Sequence, residues 1–147
     1  MNAQPWRYRY AERGSAAFDQ IMDCLLPGNQ AWAGDASVLM VSSAITVFPH
    51  NGRPNVSAVH DVGMANAHLV LEAQSRDIYA HMIAGYNPEL LNSAIQFEED
   101  EIPICVIALG HLGRPEELQA ELERRERAPR LRKTIAEFTK KLEDGSR

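Results

Sequence analysis

The segment of residues 57–76 constrains the fold of this chain more strongly than any other. Ser57 is a residue type that caps helices, and the positions after it are small or apolar on nearly every side of a helical wheel. These positions are Val59, Val62, Gly63, Met64, Ala65, Ala67, Leu69, Val70, Leu71 and Ala73. We therefore predict a long helix that is buried on more than one side, by the rest of the domain or by a second subunit.

Four further segments carry strand patterns. Residues 36–48 and 102–109 are rich in β-branched residues and lack helix caps, which predicts two buried strands. Residues 6–10 alternate aromatic side chains with arginines, as in a strand with one packed face. Residues 79–85 predict a short strand or an extended turn, while the acidic residues 98–101 predict a loop.

Helical patterns separate these strands. Ser15 suits the N-cap of a helix that extends to residue 26, and Pro88 suits the first position of a helix that extends to about residue 95. Residues 116–127 have helical spacing, with Glu121 and Arg125 as an i,i+4 pair.

The order of these elements indicates the fold class. Strands and helices mix without a regular βαβ rhythm, and the chain has no glycine-rich phosphate loop. We therefore predict an α+β fold in which helices flank a central antiparallel or mixed sheet, in a single domain over residues 1–147.

Composition narrows the class of protein and its location. With 147 residues, 45% of them hydrophobic, the chain can bury one substantial core. A formal net charge of −5 argues against a broad surface for nucleic acid or anionic membranes. No apolar run has the length of a signal-peptide core or a membrane-spanning helix. We expect a cytoplasmic protein that binds neither nucleic acid nor membrane.

The nucleophilic and metal-ligating residues form no recognised motif. Cys24 and Cys105 lie in apolar runs, which predicts reduced, buried thiols and no disulfide. His60 and His68 share a face of the long helix without further ligands at a metal spacing, so we interpret them as packing or capping residues. The sequence thus predicts no metal site and no catalytic side chain, a pattern compatible with redox chemistry supplied by a bound cofactor.

Two segments have groups that suit a flat ligand. In an extended segment, Asn2 and Gln4 face the same side, so both carboxamides can bond to the alternating acceptors and donor of a pyrimidine-like ring edge. Ile83, Ala84 and Gly85 end a strand pattern, and a glycine allows backbone to approach a flat ligand closely. Taken alone, the two segments are better explained as a frayed N-terminus and an ordinary strand-to-helix turn.

A third segment is basic. Arg130, Arg132 and Lys133 place three cations within four residues, which suits charge-assisted hydrogen bonds to a phosphate. A solvated basic face explains these residues equally well.

Together these segments resemble the nitroreductase family, and the order of the matches along the whole chain carries the resemblance. Residues 2–8, Asn-Ala-Gln-Pro-Trp-Arg-Tyr, resemble the family's Asn-x-Gln-Pro-Trp segment. The further landmarks are Asn-Gln-Ala-Trp-Ala at 29–33, Asn-Gly-Arg-Pro-Asn at 51–55, Asp-Val-Gly-Met-Ala at 61–65, Ile-Ala-Gly-Tyr-Asn-Pro-Glu at 83–89 and Ile-Ala-Leu-Gly-His at 107–111.

The resemblance implies a layered α+β fold and a homodimer that holds FMN at the subunit interface, with the long helix forming much of that interface. It implies electron transfer from NADH or NADPH, through FMN, to a small organic acceptor such as a nitro compound, a quinone or an enone. It also implies three groups of cofactor-binding residues: carboxamides on the flavin ring, a backbone turn near flavin N5, and cations on the phosphate. The carboxamides are those of Asn2 and Gln4, the turn comprises Ile83, Ala84 and Gly85, and the cations are Arg130, Arg132 and Lys133.

The chain departs from the family at its start. Family members open with a helix that carries an Arg-x-Ser-x-Arg type phosphate site, and Met1 stands at a position that is internal in the family. A start assigned too late, a fragment of a longer protein or a shortened gene would each explain this departure. Because each charge-assisted contact to phosphate contributes about 1.5–3 kcal/mol, the alternative expectation is a truncated, catalytically silent dimerisation fragment that binds flavin poorly.

Overall fold

In a computed structural model, which describes residues 2–142, the chain divides into two compact units. The first unit ends at Leu112 and the second begins at Gly113. The prediction of a single domain over residues 1–147 stays a prediction.

The first unit is built on a four-stranded antiparallel sheet, as the strand patterns predict. Its strands are β1 (Trp6–Glu12), β2 (Val38–Ile45), β3 (Tyr79–Ile83) and β4 (Glu101–Gly110), in the spatial order β1-β2-β4-β3. Because neighbouring strands are antiparallel, β1 and β4 begin at the end of the sheet where β2 finishes. Strand β3 runs toward the same end but stops opposite Val106, midway along β4. We call that end of the sheet the candidate-site end. The two edge strands, β1 and β3, are three strand spacings apart, or about 14 Å.

Three short helices cover one face of the sheet. They are α1 (Ala16–Asp23), α2 (Pro27–Ala33) and α4 (Pro88–Ala94). Ser15 caps α1 as predicted, since its Oγ accepts a hydrogen bond from the Phe18 amide at 3.2 Å. The apolar side chains of these helices pack on alternate residues of β2, Leu39 and Val41, which have no exposed surface.

The long helix α3 (Ala58–Ser75) covers the other face and confirms the predicted element. Ala58 and Val62 pack against Ala44 of β2. One turn further on, the Asn66 carboxamide accepts a hydrogen bond from the Tyr8 hydroxyl at 2.9 Å and donates one to Ser42 Oγ at 3.0 Å. Buried polar groups that are bonded in this way fix the helix on the sheet.

The opposite face of α3 is apolar and exposed in the single chain. Met64 and Leu71 are 51% and 64% exposed. At 100° per residue they lie roughly 180° around the helix from Val62, which faces the sheet. The first unit therefore covers one side of this helix, and the predicted burial on more than one side is not seen in the single chain.

The predicted acidic loop of residues 98–101 is confirmed for residues 98–100 and is wrong at its last residue. Glu101 is the first residue of β4, and its side chain has no exposed surface. Arg9 of β1 forms an ion pair with it and also donates to it at 2.8 Å, while Ser43 Oγ donates a further hydrogen bond. Burial raises the pKa of Glu101, but bonds from Arg9, the Glu98 amide and Ser43 outweigh burial and lower that pKa to about 2.

The second unit contains short, exposed helices. A 3-10 turn occupies Pro115–Glu117, followed by α5 (Ala120–Glu126) and α6 (Ile135–Phe138). The predicted helix of residues 116–127 therefore begins four residues later than expected. Glu121 pairs with Arg124 at 2.7 Å instead of with Arg125. None of the helices in residues 2–142 combines the length and the apolar character that a membrane crossing requires.

Candidate functional site

The turn that follows β3, residues 84–86, presents unbonded backbone donors at the candidate-site end. Ile83 is the last residue of β3, and its side chain is buried in the core. The whole residue is only 2% exposed, so in the single chain the part of this segment open to a ligand is residues 84 and 85. Ala84 is exposed and Gly85 is half-buried. Within residues 2–142, the amide N–H groups of Ala84 and Gly85 donate to no acceptor, so both can receive an acceptor of a ligand.

The carbonyl side of this turn is held firmly by the protein. The Gly85 carbonyl accepts hydrogen bonds from Asn29 Nδ2 at 2.9 Å and from the Leu26 amide at 3.0 Å. A Cβ at position 85 would lie 2.5 Å from Asn29 Nδ2. The sequence predicts that the glycine lets a flat ligand approach the backbone. In the structure, the space left by the missing side chain faces Asn29 instead.

The same turn is joined to the link between α1 and α2. Leu25 and Tyr86 form an isolated β-bridge, and the Asn87 amide donates to the Cys24 carbonyl at 2.7 Å. Asn87 then caps α4, since its Oδ1 accepts from the Glu89 amide at 2.9 Å. Residues 84–87 are therefore ordered by neighbours on both sides.

The N-terminal pair, Asn2 and Gln4, lies before β1 at the same end of the sheet. Gln4 has a backbone φ of 45°, in the left-handed region that residues other than glycine seldom adopt. Arg7 donates to the Gln4 carbonyl at 3.2 Å, and the Ile45 amide donates to Pro5 at 2.8 Å, so the bend is held by the sheet. The segment is not extended at Gln4, and the argument from strand alternation that puts both carboxamides on one side does not hold.

Both carboxamides are nevertheless free. Asn2 and Gln4 are exposed, and their side chains form no hydrogen bond with the described residues. A backbone held in a sparsely populated conformation is typical of functional sites.

Asn55 adds a buried donor close by. Its amide bonds to the Thr46 carbonyl at 2.7 Å, just beyond the end of β2, and its Nδ2 is buried with no partner in residues 2–142. Sequence reasoning placed Asn55 in a family landmark but assigned it no role. An orphaned donor is the only signal for it, and such a signal exists only in three dimensions.

A groove of about 490 Å³ lies between β1 and α3. Its lining is mostly apolar, and it comprises Trp6, Tyr8, Asp61, Met64, Ala65, His68 and Leu69. His60 and His68 are both exposed, so they are not packed in the core of the single chain, and their alternative role as capping residues stays a prediction. In the part of the chain that the structure describes, no group of three metal-ligating side chains comes together.

The three cations Arg130, Arg132 and Lys133 belong to the second unit. All three are exposed, and Arg132 donates to its neighbour's carbonyl, that of Leu131, at 2.9 Å. Their predicted contact with a phosphate stays a prediction.

The two thiols do not suit nucleophilic chemistry. Cys24 and Cys105 are buried and free, as predicted. Burial raises the pKa of both, with the Asp23 charge as a second cause for Cys24. Raised pKa values keep these thiols protonated at neutral pH, and the thiolate is the reactive form.

Comparison with known proteins agrees with this fold. A solved structure of an FMN-containing oxidoreductase superimposes with a TM-score of 0.87 and 26% identity, over 94% of this chain and 71% of that one. A nitroreductase family protein from Streptococcus pneumoniae TIGR4 gives a TM-score of 0.71 with 16% identity, over 96% of this chain and 80% of that one. One from Clostridium difficile 630 gives 0.67 with 16% identity, over 95% and 74%. No protein-family model matches the sequence.

These structures define the class: the chain has the nitroreductase fold, and its resemblance to the nitroreductase family is confirmed. A sequence relative places it more narrowly. An uncharacterized 15.4 kDa protein in the ask 5′ region of Mycolicibacterium smegmatis is 32% identical over 122 residues, which are 83% of this chain and 80% of that protein. The chain belongs to the same family as this Mycolicibacterium smegmatis protein.

Proposed function

We propose that the chain is an FMN-dependent oxidoreductase that transfers electrons from NAD(P)H to a small organic acceptor. The observation that carries the proposal is the turn of residues 84–86. It offers two unbonded amides at the candidate-site end, in a fold shared with an FMN-containing oxidoreductase at a TM-score of 0.87. A cytoplasmic location and a nitro, quinone or enone acceptor complete the proposal.

The residues present fit an isoalloxazine ring. The free carboxamides of Asn2 and Gln4 can each donate and accept, which suits a ring edge that alternates acceptors with a donor. The buried, unpartnered Nδ2 of Asn55 is a further donor at this end of the sheet. That Arg130, Arg132 and Lys133, in the second unit, bind the phosphate is proposed from their charge and from the family resemblance alone.

The protein's part in the chemistry is to bind, orient and tune. When bound, FMN supplies the redox chemistry itself. The amide of Ala84 or of Gly85 would donate toward flavin N5 and favour the electron-rich ring, because a preorganised N–H stabilises developing negative charge. No side chain has to titrate for this effect, which agrees with the lack of a reactive thiol.

We also propose a homodimer in which the exposed face of α3 packs against a second copy. Met64 and Leu71 lie on that face, and both are more than half exposed in the single chain. Burying such side chains contributes about 25 cal/mol per Å² of apolar surface.

The dimer predicts a clear result for Leu71→Arg. We expect the variant to be monomeric at concentrations at which the wild type is dimeric, because an unpaired charge in an apolar interface is costly. Sedimentation velocity measures the change. Leu112→Arg is the matched control, since Leu112 is 66% exposed and lies outside α3, and it should remain dimeric. A wild type that sediments as a monomer would contradict the proposed dimer.

The first test of the function is flavin retention. Purified protein, mixed with FMN and desalted, should keep one FMN per chain and show a resolved visible band. The yellow protein should then consume NADH or NADPH in the presence of a nitro compound, a quinone or an enone. A panel of the three acceptors, with FMN-free protein as the control, identifies the preferred class.

A colourless protein after desalting would reject the proposed activity for this chain. It would favour the alternative expectation, a catalytically silent dimerisation fragment. Sedimentation of the same sample then tests whether that fragment dimerises.

A further inference from the structure

The turn of residues 84–86 is oriented through its carbonyl groups. The Tyr86 amide donates to the Ala84 carbonyl at 3.2 Å, and the Gly85 carbonyl accepts from Asn29 Nδ2 and the Leu26 amide. The two peptide groups that flank the Gly85 Cα are thus both bonded. The Gly85 N–H itself makes no hydrogen bond with any described residue. Its direction is fixed because the Ala84 carbonyl, which belongs to the same peptide group, accepts from the Tyr86 amide.

Asn29 is the one side chain in this arrangement. Its Nδ2 lies 2.9 Å from the Gly85 carbonyl, and the contact joins residues 56 positions apart in the chain. Asn29 is itself held by the first turn of α2, where its amide donates to the Leu26 carbonyl at 2.8 Å. Leu26 therefore contacts both partners, and the three residues form a closed set of hydrogen bonds.

The fit between Asn29 and Gly85 is tight. Any Cβ at position 85 would approach Asn29 Nδ2 to 2.5 Å, a distance that real Cβ atoms do not tolerate. The asparagine can reach the carbonyl only because residue 85 is a glycine. Helix α2 thus acts as a rigid support behind the turn, with Asn29 as its point of contact.

We propose that Asn29 is a positioning residue for the flavin site: it holds the turn of residues 84–86 so that the amides of Ala84 and Gly85 face the cofactor. The inference rests on the proposed function. Asn29 contacts the turn through the Gly85 carbonyl and not through the free amides, so it acts on the cofactor through Gly85.

The test compares Asn29→Ala with the wild type and with Asn92→Ala. Asn92 is exposed on α4 and forms no side-chain hydrogen bond within residues 2–142, so it controls for the substitution itself. We expect Asn29→Ala to raise the FMN dissociation constant about fivefold, the effect of losing roughly one hydrogen bond. The midpoint potential of the bound flavin should become more negative, because the donor near N5 is less ordered. Asn92→Ala should match the wild type in both measurements.

A purely structural role for Asn29 would lower stability in urea but leave the potential of the bound flavin at its wild-type value, and that result would overturn the proposal. Amide hydrogen exchange in the FMN-free chain gives a second readout. The Leu26 amide, which donates to Gly85, should exchange faster in Asn29→Ala than in Asn92→Ala. If the wild type binds no FMN, the proposed function fails, and unchanged exchange at Leu26 would then refute the positioning role separately.

Discussion

Replacement of Arg9 with methionine is expected to lower the free energy of unfolding at pH 7 by about 3 kcal/mol. Arg9 is the partner of Glu101, whose side chain has no exposed surface. Within residues 2–142, removing the guanidinium leaves a buried carboxylate with only the Ser43 hydroxyl and the Glu98 amide as partners. Urea unfolding followed by circular dichroism measures the loss. The expected loss lies in the lower part of the range for buried pairs because the Arg9 side chain is 33% exposed.

The pH dependence of the free energy of unfolding, in the wild type and in the same variant, tests whether the ion pair with Glu101 causes this loss. Folding lowers the pKa of Glu101 from its ordinary value of 4.5 to about 2, so its contribution is fully present above pH 4.5 and is lost as the pH falls toward 2. The wild type should therefore lose up to about 3 kcal/mol over this interval. The difference between wild type and Arg9→Met should shrink over the same interval, because Glu101 becomes neutral in both proteins.

Arg7→Met is the matched control for this prediction. Arg7 lies on the same strand and is exposed, and within residues 2–142 its side chain bonds only to the Gln4 and Trp6 carbonyls. Its replacement should change the free energy of unfolding by no more than about 0.5 kcal/mol. Equal effects of the two substitutions at pH 7 would show that the Glu101 ion pair is not the source of the stability.

Replacement of Gly85 with alanine should weaken FMN binding at least tenfold. The new Cβ would lie 2.5 Å from Asn29 Nδ2, so either the Asn29 side chain rotates away or the turn of residues 84–86 shifts. Each response breaks the hydrogen bond to the Gly85 carbonyl and reorients the neighbouring amides. Overpacking at a fixed site costs about 1–3 kcal/mol, so stability in urea should fall as well. Titration with FMN, followed by quenching of flavin fluorescence, measures the affinity.

Gly28→Ala controls for the change from glycine to alanine. A Cβ at position 28 meets no atom within 4 Å, and residue 28 lies inside α2, where alanine is the better helix former. This variant should bind FMN as the wild type does. The double variant Asn29→Ala/Gly85→Ala should lose less than the sum of the two single losses, because both disturb the same contact. Strictly additive losses would show that Gly85 acts independently of Asn29.

Local patterns predicted most of the secondary structure because their physical causes lie within a few residues. Ser15 caps α1 and Pro88 begins α4, at the positions that capping chemistry predicts. The failures have non-local causes. Glu101 belongs to an acidic run that resembles a solvent loop, and only pairing with Arg9, 92 residues away, makes it a buried strand residue.

The candidate site also contains residues that the sequence identifies and contacts that only the folded chain shows. Ile83, Ala84 and Gly85 could be selected from sequence because the turn and the family landmark are continuous in the chain. Asn29 could not be assigned to that turn, since the contact joins residues 56 positions apart. The carboxamides of Asn2 and Gln4 were selected for their chemistry, but the bend at Gln4 depends on contacts with the sheet.

The sequence by itself determined which segments form helices and strands, the α+β class, and the resemblance to the nitroreductase family. These follow from propensity, capping and the order of motifs, which are properties of the linear chain. Only the tertiary structure decided that α3 covers one face of the sheet and leaves Met64 and Leu71 exposed, that Glu101 is a buried ion-pair partner, and that Asn29 supports Gly85. Each of these depends on distances between segments remote in sequence, and such distances are set when the helices and strands pack together.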